Sequence, residues 1–147
     1  MEYKILLVLH LLGSSVWVGG HLILAITILP RALKLHDPEI LHQFESRYEK
    51  IGIPALLLQV ATGLRLVYYY NDNLLDVFNF AYSQHTFIAL KIILLLVTVV
   101  IAAHARIRLI SKLKEENMVF LAWHIITVTI LGVAILFFGA GIRIGNW

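Results

Sequence analysis

The sequence predicts an all-α integral membrane protein, an antiparallel four-helix bundle whose second helix extends into the cytoplasm. Three observations carry that expectation. Sixty per cent of the 147 residues are hydrophobic and 14% are charged, against about 45–50% and about 25% in ordinary soluble domains. The apolar residues gather into four stretches, about residues 3–29, 51–70, 85–109 and 118–142, each near the roughly 20 residues a helix needs to span hydrocarbon. None of them shows strand alternation, and lipid admits only helices or closed barrels because every backbone polar group must be satisfied internally. The chain therefore reads as one transmembrane domain, residues 1–147.

The first stretch follows a short polar start, Met1–Lys4, and is long enough to span rather than to be a cleaved signal. Pro30-Arg31 is expected to close it. Asp37-Pro38-Glu39 then reads as an N-cap, a proline at the first helical position and an acid in the first turn. Ile40, Leu41, Phe44, Tyr48 and Ile51 recur at helical spacing after it, so the second helix should begin near Pro38, outside the membrane, with a kink near Pro54. His36 and His42 fall in this polar part and read as solvated residues. The segment 71–84 carries Asp72 and Asp76 and no Lys or Arg, whereas Arg106, Arg108, Lys112 and Lys114 join the third and fourth spans. With Arg31, Lys34, Arg47 and Lys50, the basic residues fall on one side. The positive-inside rule puts those two loops in the cytoplasm and both termini outside, as in a bacterial inner membrane. A net charge of +3 is thus a topology signal, and no nucleic-acid partner is expected. The absence of cysteine excludes disulfides, thiolate metal sites and iron–sulfur clusters.

Histidines inside the apolar runs are the main functional signal, because intramembrane ionisable groups are expensive to leave unpaired. In the first helix His10, Trp17 and His21 share one stripe, with the two imidazoles about 16 Å apart along the axis. Converting position into depth, at about 1.5 Å per residue, sorts the rest into two layers. Near the termini, His10 and Lys91 share a layer, flanked by Arg65, Tyr69, Tyr70 and Arg143. Near the basic loops, His21, His104 and His124 come from three helices to one depth. Two facing imidazoles suit a haem iron, and three suit copper or zinc. Each also has a plain reading. A single His can bond to a neighbouring carbonyl, Trp17 and Trp123 suit either a porphyrin face or packing, and Gly13, Gly19 and Gly20 suit close helix approach. His85 at the start of the third span reads as an interface residue. Arg106 suits either a haem propionate or an anchor at the helix end. Lys91, if buried, needs an anionic partner such as a propionate.

His10, Trp17, Gly20 and Pro30-Arg31, followed by Lys91 and His104, resemble the membrane proteins grouped with copper resistance protein D and the HemJ-type protoporphyrinogen oxidases. Both are similar to small helical b-type, often di-haem, cytochromes. The HemJ-type resemblance implies haem b and protoporphyrinogen IX oxidation, with His10 and Lys91 matching its pattern. His21 and His124 lie outside that pattern and fit the copper-resistance side better. Met1 and Met118 are the only methionines and there is no cysteine, so the soft ligands of a dedicated Cu(I) carrier are scarce.

The main expectation is a b-type haem protein with a redox or electron-transfer role. One or two haems would be held by His10, His21, His104 and His124, with Lys91, Trp17 and Arg106 around them. The alternatives are a copper or zinc binding or transport-resistance protein using the same histidines, a porphyrinogen-oxidising enzyme, and a membrane adaptor whose histidines only bridge helices. The expected partners are the lipid bilayer, a quinone or other redox partner, and a second copy of the chain as a homodimer.

Overall fold

The computed structural model describes residues 1–69, 73–80 and 82–144. Tyr70 and Asp72, and the side chain of Arg143, lie outside what is described. Four long helices, α1 (Glu2–Leu35), α2 (Pro38–Val67), α3 (Ser83–Lys112) and α4 (Met118–Ile144), are each long and apolar enough to cross a membrane. Large apolar side chains such as Leu57, Val100 and Ile130 stay more than 60% exposed, which is where lipid would lie. The architecture is the all-α membrane bundle expected from the sequence.

The first helix runs further than its sequence suggested. Pro30 lacks an N–H and its ring crowds the carbonyl four residues back. The turn before it widens, so that the Leu29 N–H reaches the Leu24 carbonyl across a π-helical segment, Leu24–Ile28, and the helix continues to Leu35. It ends where His36 turns left-handed at φ 52° and the Asp37 N–H returns to the Ala32 carbonyl at 3.1 Å. Asp37 is the N-cap of α2, its Oδ1 accepting from the Glu39 N–H at 2.9 Å, and Pro38 opens the helix as expected. Pro54 lies inside α2, which remains one continuous element. A second π-helical segment, Ala105–Leu109, follows His104 directly in α3.

The bundle is two helical hairpins placed side by side. α1 packs along α2 and α3 along α4, and the pairs meet through α1 and α4, while α2 and α3 hardly touch. Without a hydrophobic drive between helices in lipid, close approach has to come from small residues. Gly13 supplies it for the first pair, since a Cβ there would stand 2.8 Å from the Ala55 carbonyl oxygen. Gly132 does so between the pairs by receiving the Trp17 ring. Gly19 meets nothing and is not used in this way. At the end bearing the termini, Arg65 joins Glu2 at 2.9 Å and ties α2 to α1. At the opposite, basic end, Leu24, Leu29, Ala32, Leu41, Met118 and Leu121 form the largest buried apolar cluster.

Candidate functional site

Because α2 and α3 stand apart, a cleft of about 290 Å³ remains between the hairpins. It runs inward from Glu45, Glu49 and Arg106, near the basic end, to Thr98 and Val128, with His21, Tyr48 and His124 between. Its lining from α2 follows positions 45, 48, 49, 52, 53 and 56, a single stripe at helical spacing.

His21 is held from its own helix. Its Nδ1 stands 2.9 Å from the Trp17 carbonyl, so that nitrogen carries the proton and Nε2 is left with its lone pair. The Trp17 ring lies 4.6 Å away, centroid to centroid, and the Tyr48 ring 5.8 Å away, edge-on. The Tyr48 hydroxyl donates to the same Trp17 carbonyl at 2.7 Å. Across the bundle the Thr129 hydroxyl reaches the His21 carbonyl at 3.3 Å.

His104 and His124 are brought together. His124 Nδ1 stands 3.0 Å from the Phe120 carbonyl, so it is the donor and Nε2 the acceptor. His104 Nδ1–H then donates to His124 Nε2 at 3.0 Å, leaving His104 Nε2 with a lone pair. The rings lie 5.1 Å apart and within 20° of parallel. His104 is exposed, whereas His124 is partly buried and also faces the cleft. The depth match drawn from sequence position therefore pairs two of its three histidines directly and leaves His21 on another wall. Among the described residues no three His, Asp or Glu side chains converge closely enough to hold one ion.

The cleft mouth is bridged by one ion pair, Arg106 to Glu49. Arg106 is thereby committed to a carboxylate of the chain itself, and it fastens α3 to α2 where their backbones stand apart. Glu45 has no ion pair among the described residues. Trp17 is buried, packed against His21 and Gly132, and Trp123 is exposed.

Near the termini His10 serves as a bridge between α1 and α2. Its Nδ1 stands 2.9 Å from the Gln59 carbonyl and 3.2 Å from the Thr62 hydroxyl, and the ring lies over Gly63. Lys91 is contributed by α3. It runs beside Gly139 and has no hydrogen-bonding or ionic partner among the described residues. Gln59 Oε1 and His85 Nδ1 are buried without a hydrogen bond among the described residues.

Three residues of the cleft escaped the sequence reading: Glu45, Tyr48 and Glu49. Tyr48 was visible there only as a member of the apolar stripe, and Glu45 and Glu49 only as polar residues between its members. The signal that identifies them is that the stripe continues past Gly52 into the membrane, so its polar members need an enclosed neighbour instead of water.

A four-helix membrane bundle with an imidazole-lined cleft is the class of protein defined by this geometry. The family model of copper resistance protein D matches residues 42–142, from the polar start of α2 through almost all of α4. The chain belongs to that family. Neither the curated proteins nor the solved structures contain a match to it. The chain is therefore a membrane protein of the copper-resistance type, the alternative drawn from its sequence.

Proposed function

We propose that the protein handles copper within the membrane, taking the ion on the imidazole nitrogens of His124, which lines the cleft, and His104, which stands beside it on the exposed side. The single observation that carries this reading is the 3.0 Å separation of His104 Nδ1 and His124 Nε2. Two imidazole nitrogens, each about 2.0–2.1 Å from one ion, stand about 2.9–3.4 Å apart at angles between square-planar and tetrahedral. Axial ligands on opposite sides of a haem iron stand about 4 Å apart, with the macrocycle between them. The pair thus suits a bare ion bound on one side, and a cleft of about 290 Å³ is at the lower edge of small-molecule pockets. Of the two cofactors expected from sequence, copper is favoured over haem b.

The chemistry follows from the protonation of the pair. Metal-free, one proton holds the two rings together. Both facing lone pairs become available when that proton moves to His104 Nε2, which lies on the exposed side and needs only a tautomeric change. His21 Nε2, on the opposite wall, is the next nitrogen an ion would meet inside the cleft. Glu45 at the mouth adds a carboxylate without an ion pair, which favours cation approach. An open set of two-at-a-time ligands suits a cargo that has to leave again, since tight closure would trap it. With Met118 buried in the apolar cluster and no cysteine, the donor set is imidazole and carboxylate, suited to Cu(II) over Cu(I). The basic end is read as cytoplasmic, so the cleft would open toward that side.

Metal analysis of the detergent-purified protein after incubation with Cu(II) and gel filtration tests the reading. About one copper per chain is expected in the wild type, with loss in both His104→Ala and His124→Ala. Retention of copper in both variants would overturn the assignment.

A further inference from the structure

The ion pair at the cleft mouth is built from parts of unequal freedom. The backbone under Arg106 is fixed, because Ala105 and Leu109 of the same π-helical segment are buried in the apolar cluster with Leu24 and Leu121. The side chain is less constrained: it crosses the gap between α3 and α2 to meet Glu49. Both partners keep contact with water, the Arg106 side chain 48% and the Glu49 side chain 31% exposed, so the pair is screened and separable at small cost. A guanidinium stays charged throughout and needs a carboxylate or water wherever it goes. Glu45 offers such a carboxylate. It precedes Glu49 by four residues on the same helical face and lines the same cleft, about 6 Å nearer the basic end. With no ion pair of its own among the described residues, it is a second seat one turn outward.

We propose that Arg106 is a side-chain bar across the cleft, closing it when seated on Glu49 and opening it when it steps one turn outward to Glu45. In the closed seat the arginine spans the gap between α2 and α3 and holds a positive charge in the path of an entering cation. In the open seat that charge has moved toward the basic end, and the Glu49 carboxylate is released to the cleft it lines. The two states differ only in which carboxylate holds one guanidinium. No helix has to move, which agrees with the anchoring of Ala105 and Leu109, and the element that switches has two discrete arrangements. The bar acts on whatever enters the cleft, so it stands independently of the copper reading.

The test reads access to the inner end of the cleft in the full-length protein in detergent, without metal. Thr98 lies there, fully buried, and the chain has no native cysteine, so Thr98→Cys supplies one thiol whose rate of alkylation by iodoacetamide is the readout. Into that parent are placed Glu49→Gln, Glu45→Gln and Arg106→Gln, each close to the native shape. Glu49→Gln removes the closed seat and Arg106→Gln removes the bar, so both should label about three- to fivefold faster, the scale of a partly exposed ion pair. Glu45→Gln removes the open seat and should label slower than the parent by a similar factor. The opposite signs are the diagnostic feature. The two glutamate variants lose the same charge, so an effect of charge on the thiol would move both rates the same way, and a loosened bundle would only speed labelling. A rate in Glu45→Gln no slower than the parent's, or in Glu49→Gln or Arg106→Gln no faster, would overturn the proposal.

Discussion

At the scale of single residues, the difference between a His that braces helices and one that can take a ligand lies in which nitrogens are used. His10 has Nδ1 against two oxygens of α2 and its ring pressed on Gly63. His21 and His104 each keep Nε2 outside any hydrogen bond among the described residues. The expected consequence is a split among alanine variants. His104→Ala and His124→Ala should lose at least tenfold in Cu(II) affinity, whereas His10→Ala should weaken thermal stability in detergent with little effect on the metal. A competitive chelator titration beside a melting curve separates the two outcomes. Binding should also fall as the medium is acidified, because protons and copper compete for the same lone pairs. The sequence made His104 and His124 legible as partners because both lie at countable depth in antiparallel helices. It did not make legible which nitrogen each uses, since that depends on carbonyls such as those of Trp17 and Phe120 whose placement only the folded helices define.

At the scale of elements, α1 and α2 owe their shape to a few local devices. Asp37 caps α2 with a hydrogen bond of 2.9 Å. Asp37→Ala should lower stability by about 1 kcal/mol, while Asp37→Asn should retain most of it, as read from thermal unfolding in detergent. Gly20→Ala is a sharper probe, because its Cβ would overlap the Tyr48 ring. The expected cost is about 1–3 kcal/mol from overpacking, read from thermal unfolding in detergent. The start of α2 could be read from Asp37-Pro38 because capping chemistry is local. The run of α1 through Pro30 could not, because a π-helical turn absorbs the proline by a change of hydrogen-bond register that no residue type announces.

At the scale of the whole molecule, the two hairpins and the gap between α2 and α3 create the cleft. The arrangement of four spans was legible from hydropathy alone, since lipid leaves the chain no other way to satisfy its backbone. The gap was not, because it depends on how the hairpins meet, through Gly132 and Trp17, rather than on any span by itself. Orientation remains a proposal drawn from the basic residues near one end, and the lack of native cysteine makes it easy to probe. In vesicles of known sidedness, Ser111→Cys at the basic end should react with an impermeant maleimide from the cytoplasmic face, and Ser83→Cys from the opposite face. The reverse pattern would invert the topology.

The claim on which the rest depends is that copper binds to the imidazole nitrogens of His104 and His124. Electron paramagnetic resonance of the purified protein with one equivalent of Cu(II), recorded beside its absorbance spectrum, tests it most directly. The expected result is a copper signal split by nitrogen ligands, lost in the His104→Ala, His124→Ala double variant. A Soret band in the protein as purified, with no nitrogen-split copper signal, would contradict the claim and return the histidines to haem.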